Sequence, residues 1–217
     1  MSTLTERRDI LNAFLGHAAF DGWTDRSLKA AARDTGRDMA EVSLLFPRGM
    51  RDLLTFFSDE MDRALIEKAE KMDFTVLKMR ERITELVRLR LLVMERHREA
   101  ARRAGLTMAL PVYMDVGART LAATVDTIWR LAGDTSTDWN YYTKRAILSG
   151  VYASTALTWF ADNSPGYEDS WAFLDRRIAD VMKIERTKAR CREATKDMPS
   201  LARILGRLRH RDVIRPL

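Results

Sequence analysis

The chain has 217 residues, 46% of them hydrophobic and 31% charged, with a formal net charge of +6 and one cysteine. This suits a folded domain with a real core, and no apolar run approaches the roughly 20 residues that a membrane-spanning helix requires. Cys191 by itself excludes an intramolecular disulfide, and the charge excess is local: residues 183–217 hold eleven Lys/Arg against four Asp/Glu, leaving the remainder nearly neutral.

Apolar residues recur at helical spacing almost everywhere and period-two alternation is scarce, so the expected fold class is all-α with about ten helices. A first helix over Leu4–Ala18 places Ile10, Leu11, Phe14 and Leu15 on one stripe before the turn Phe20–Trp23. Thr24 or Asp25 caps a second helix that ends near Gly36, and a third short helix, Met39–Leu45, stops at Phe46-Pro47 because proline disfavours a helical predecessor. Leu44, Leu45 and Phe46 are expected to pack this three-helix head together. Longer helices follow over Asp52–Met72, Val76–His97, a piece ending at Met108, Val112–Leu131, Thr137–Ala161 and Tyr167–Lys188, with breaks at Leu110-Pro111, at 133–137 and at 163–166. The expected organisation is a helix-turn-helix-like head over 1–50, a helical body over 51–188, and a basic tail over 189–217.

Three short helices ahead of a long helical body resemble the TetR family of repressors. The candidate reading helix nonetheless carries Asp38 and Glu41 where phosphates crowd, and offers only Ser43 and the preceding Arg37 to base edges. No nucleic-acid partner is expected of it. His17, His97 and His210 lie far apart, without His-x-x-x-His or Glu-x-x-His spacing, and no phosphate-binding glycine loop or Gly-x-Ser-x-Gly elbow occurs. A non-catalytic protein with no metal and no cofactor is therefore expected.

The stretches Phe20–Thr24 (FDGWT), Leu45–Gly49 (LFPRG), Lys78–Ile83 (KMRERI), Gly133–Arg145 (GDTSTDWNYYTKR), Val151-Tyr152 and Trp171–Ile178 (WAFLDRRI) resemble the Coq-nine family of ubiquinone-biosynthesis accessory proteins. The likeness runs from about Asp9 to Arg186. It implies a TetR-like fold that no longer regulates transcription, forms a homodimer, holds an isoprenoid, quinone precursor or phospholipid in its body, and assists a separate demethoxyubiquinone hydroxylase. It further implies that Asp138, Tyr141, Tyr142, Lys144 and Arg145 lie near the hydroxylase-docking surface, Tyr141 and Arg145 foremost. Eukaryotic members carry Asn-Trp-Tyr where this chain has Asn140-Tyr141-Tyr142.

A bound lipid needs an apolar cavity, and its bulky or flexible liners are expected among Met79, Leu86, Met94, Met108, Met114, Leu121, Ile128, Trp129, Leu148 and Trp159. In the tail, Leu201, Ile204, Leu205 and Leu208 fall at i, i+3, i+4 and i+7, with Arg203 and Arg207 on the remaining arc. Such a basic amphipathic helix can lie on an anionic bilayer. The N-terminus shows neither the apolar core of a secretory signal nor a long arginine- and serine-rich stretch, so a cytoplasmic protein peripheral to the inner membrane is expected. The competing reading is a TetR-type regulator with a hydrophobic small-molecule pocket.

Overall fold

The computed structural model describes residues 3–134 and 139–181, and all the regular structure among them is helical. Among the described residues the α-helices are α1 (Thr3–Asp21), α2 (Asp25–Asp34), α3 (Met39–Leu45), α4 (Met50–Ala69), α5 (Met79–Leu92), α6 (Arg98–Met108), α7 (Met114–Ala132), α8 (Trp139–Ala161) and α9 (168–181). The chain divides into two units, the first running to Ile178, and the packing described below lies within it. The tail positions 201, 203–205, 207 and 208, and Asp138 of the proposed docking stretch, lie outside the described residues.

The head forms as its sequence directs. On α1 the expected stripe is buried, extended by Ala18. Thr24 is the cap of α2: its hydroxyl accepts the Ser27 amide at 3.2 Å. Asp38 accepts the Glu41 amide at 2.8 Å while Glu41 accepts the Asp38 amide at 3.0 Å, a reciprocal capping box that starts α3. Phe46 is buried against Phe56 with the Arg7 guanidinium over both rings, whereas Leu44 is 81% exposed and Leu45 half-buried. The expectation that all three pack the head is thus corrected: Leu44 on the seven-residue helix lies outside its inward face, which Val42 holds, while Phe46, the cap residue just past the helix, turns back to the core.

Trp23 joins head to body. Its ring meets Phe14 and Phe57 edge-on at 4.9 and 5.4 Å, and its indole N–H donates to the Ala100 carbonyl at 2.8 Å, so one side chain links α1, α4 and α6. Behind it α4, α5, α7 and α8 pack around Leu65, Leu86, Val87, Val125, Ile128 and Trp159, all without solvent exposure. The single helix expected over Val76–His97 is instead α5 followed by a 3₁₀ turn at Glu95–His97, which redirects the chain into α6. At the reversal between α6 and α7, a Cβ on Gly117 would stand 2.9 Å from the Met108 carbonyl, so only glycine permits this approach. Gly133, at φ +89, ends α7, with its own amide bonded to Arg130 and that of Asp134 to Trp129.

The turn from α8 to α9 is organised by Asp162. Its carboxylate accepts the amides of Ser164 and Ser170 at 2.7 and 2.8 Å and both their hydroxyls. Burial works against this charge, but the hydrogen bonds win and hold the carboxyl well below the usual carboxylate range. A carboxyl pKa depressed in the folded state contributes stability that is complete above the unfolded value, about pH 4, and is lost as pH falls through the folded one. Thermal melts between pH 7 and pH 2 are expected to show Asp162→Asn less stable than the parent at pH 7, with the gap narrowing below about pH 4. A gap independent of pH would remove the charge from this account.

Candidate functional site

A cavity of about 610 Å³ opens among α4, α5, α6, α7 and α8. Its apolar walls come from Phe57 on α4, Met94 after α5, Met108 on α6, Leu121 on α7, and Leu157 and Phe160 on α8. The space itself is left by small residues: Ala101, Ala104 and Gly105 recur at i, i+3, i+4 on α6, and Ala153 and Ala156 face them from α8. A leucine at any of these positions would fill what is open. The volume falls within the range of small-molecule sites.

The polar groups of the wall are Ser58, Arg90, Arg102, Thr120, Thr124 and Tyr152, and two of them, Arg90 and Thr124, converge on Asp62. Asp62, 8% exposed, accepts the Arg90 Nε–H at 2.6 Å and the Thr124 hydroxyl at 2.9 Å. Arg90 and Thr124 are each 2% exposed. Burial raises the Tyr152 phenol above its ordinary range, Arg90 opposing the shift and Asp62 adding to it.

The ten residues expected to line a lipid cavity are distributed three ways. Met94, Met108 and Leu121 line it. Leu86, Ile128, Leu148 and Trp159 are buried in the core, and Trp129 is half-buried with the Lys144 ammonium 5.4 Å from its ring. Met79 and Met114 are exposed. The alanines and glycines that create the room were not among the ten; their signal was a recurrence of small residues on inward helix faces.

Of the stretch expected near a docking surface, Tyr141 and Arg145 are held internally. The Tyr141 hydroxyl donates to Asp126 at 3.1 Å, Arg145 donates to the same carboxylate at 2.8 Å, and its guanidinium lies 3.3 Å above the Tyr141 ring. Lys144 pairs with Asp134 at 2.8 Å. Tyr142 is 69% exposed, edge-on to Tyr141 at 5.1 Å. The network fastens α8 to α7 and leaves Tyr142 as the outward aromatic.

On the head, a separate concavity of about 550 Å³ is lined by Arg26, Lys29, Arg33 and Arg37 together with Asp38. Among the described residues no group of three or more His, Cys, Asp or Glu could hold a metal ion, and no helix is long and apolar enough to cross a membrane.

Residues 114–185 match the family model described as COQ9. The chain is 32% identical over 184 residues to the ubiquinone biosynthesis protein COQ9, mitochondrial, of Rattus norvegicus, 31% to that of Homo sapiens and 27% over 191 residues to that of Drosophila melanogaster. Each alignment takes in 82% of this chain, but only 59, 58 and 56% of the respective relative, so the chain spans less than two thirds of their length. Among solved structures, the TetR transcriptional regulator from Nitrosomonas europaea superposes with a TM-score of 0.66 at 22% identity, over 81% of this chain and 97% of that one. The fold is TetR-like.

The buried Asp62–Arg90 pair is expected to behave as a unit. Asp62→Leu or Arg90→Met alone leaves a buried charge without its partner and should cost about 3–5 kcal/mol, whereas the double variant should recover most of that loss. Urea denaturation midpoints of the two singles and the double read this directly. A double variant no more stable than the worse single would show that the pair is not the source of the cost.

Proposed function

From the match of residues 114–185 to the COQ9 family model, we propose that this chain is a non-catalytic accessory protein of ubiquinone biosynthesis that carries an isoprenoid or quinone-like lipid in its helical body and presents it to the demethoxyubiquinone hydroxylase. The carrying observation is the cavity of about 610 Å³ inside α4–α8, apolar on most of its wall. The membrane surface supplies the lipid, approached through the basic amphipathic segment around Leu201–Leu208, and the active form is a homodimer peripheral to that surface. Tyr142, outward beside the Tyr141–Arg145 network, is the aromatic best placed to meet a protein partner, since exposed aromatics on a rigid support make strong anchors.

The regulator reading draws on the TetR-like fold and the basic concavity of the head. Against it, the Asp38 and Glu41 side chains are fixed at the start of α3 by mutual capping, and the exposed part of the helix offers Leu44 and a Ser43 hydroxyl that donates to the Met39 carbonyl. Salt-sensitive, sequence-selective retardation of duplex DNA in a gel would revive it.

Native mass spectrometry of the purified protein, followed by organic extraction, is expected to find one isoprenoid or phospholipid per cavity. Ala156→Trp, which places an indole in the cavity, should lower that occupancy about tenfold or more while leaving the helical circular dichroism intact. Protein that emerges empty, and stays empty when offered decylubiquinone and liposomes, overturns the proposal.

A further inference from the structure

The apolar wall of the cavity is interrupted on its buried side by a donor that nothing uses. Arg90 lines the cavity while only 2% exposed, and its Nε is committed to Asp62. Its Nη1 is buried and has no hydrogen-bond partner among the described residues. A buried donor without an acceptor costs about 1–3 kcal/mol, so folded proteins rarely keep one without a use for it.

The chemistry that would satisfy it is restricted. Asp62 already balances the Arg90 charge and is further saturated by Thr124, so the site offers an N–H but no surplus positive charge. Tyr152 lines the same side, and because burial disfavours its ionisation it stays an O–H. A carboxylate or phosphate entering here would lose its water and meet no free cation, since the other cation of the wall, Arg102, is paired with Glu99 at 2.7 Å. An uncharged oxygen on an apolar body, such as a ring carbonyl, phenol or ether, meets donors at one end and Phe57, Met94 and Leu121 along the rest. The solvent side of the cavity is marked by Leu106 and Leu157, which line it while 53 and 67% exposed.

We propose that Arg90 and Tyr152 form a headgroup subsite for the uncharged oxygen acceptor of an amphiphile, whose tail runs toward Leu106 and Leu157. The inference rests on the lipid-carrying reading and adds to it a ligand class and a direction.

Tryptophan-fluorescence titrations with decylubiquinone and with decylbenzene, the matched tail without ring oxygens, test it. The parent protein should bind decylubiquinone about tenfold or more tighter than decylbenzene. Arg90→Lys, which keeps a cation for Asp62 but removes the guanidinium, should bring the ratio of decylubiquinone to decylbenzene affinity close to one, a ratio that a general loosening of the cavity would leave as it is. Tyr152→Phe, which leaves the Asp62–Arg90 pair intact, should reduce the preference independently and serves should Arg90→Lys fold poorly. Equal affinities for the two probes in the parent protein overturn the subsite while leaving the lipid-carrying reading standing. Tighter binding of dodecyl phosphate than of decylubiquinone overturns the uncharged class. Failure of all three probes to bind overturns the subsite and the carrier reading together.

Discussion

A carboxylate in the middle of a helical protein must be answered by donors, and the answer given to Asp62 sets the geometry of the body. Asp62 belongs to α4, Arg90 to α5 and Thr124 to α7, and both of the latter donate to the one carboxylate. Apolar contacts tolerate rotation of one helix against another, but directional hydrogen bonds to a single buried group do not. The three helices are thereby fixed in rotation and height, and Leu65, Leu86, Val87, Val125 and Ile128 close around a register that polar chemistry has already chosen. Buried ion pairs are poor sources of net stability and better sources of specificity, and here the specificity lies at the wall of the cavity.

The space beside that register is kept open by absence. On α6 and α8 alanine and glycine hold the middle of the facing surfaces, and the bulkier Met108, Leu157 and Phe160 stand around the space they leave. The frame around it is firm: Trp159, with Tyr167 edge-on to it and the Arg98 guanidinium over its ring, anchors the end of α8, and Gly117 lets α7 turn tightly under the end of α6. A close-packed frame surrounds a loosely filled centre.

Much of the frame was legible in the sequence because it is written in local chemistry. The stripe of α1, the Thr24 cap, the Phe46-Pro47 stop and the Gly133 break each depend on residues within a turn or two of one another, and each forms as read. The Asp38–Glu41 box has the same local signature, although two acids ahead of a candidate reading helix read equally well as charges opposing phosphate. The cavity was less legible. A methionine or leucine at helical spacing reads alike whether it faces a void or the core, and only the neighbouring helix decides; Leu86 and Ile128 went to the core while Leu121 went to the wall. The internal engagement of Arg145 was hidden for a similar reason, since Asp126, its partner, lies on another helix and nothing local joins the two.

The link made by Trp23 carries a mechanical consequence. Its indole is bonded to Ala100, and the next residue, Ala101, is part of the cavity wall. An occupant that displaces α6 therefore displaces the acceptor of the side chain that seats α1, and strain entering at the cavity leaves through the head. By linkage, whatever an occupant costs or adds to the seating of α1 through this bond is returned in equal measure to its own affinity when α1 is displaced.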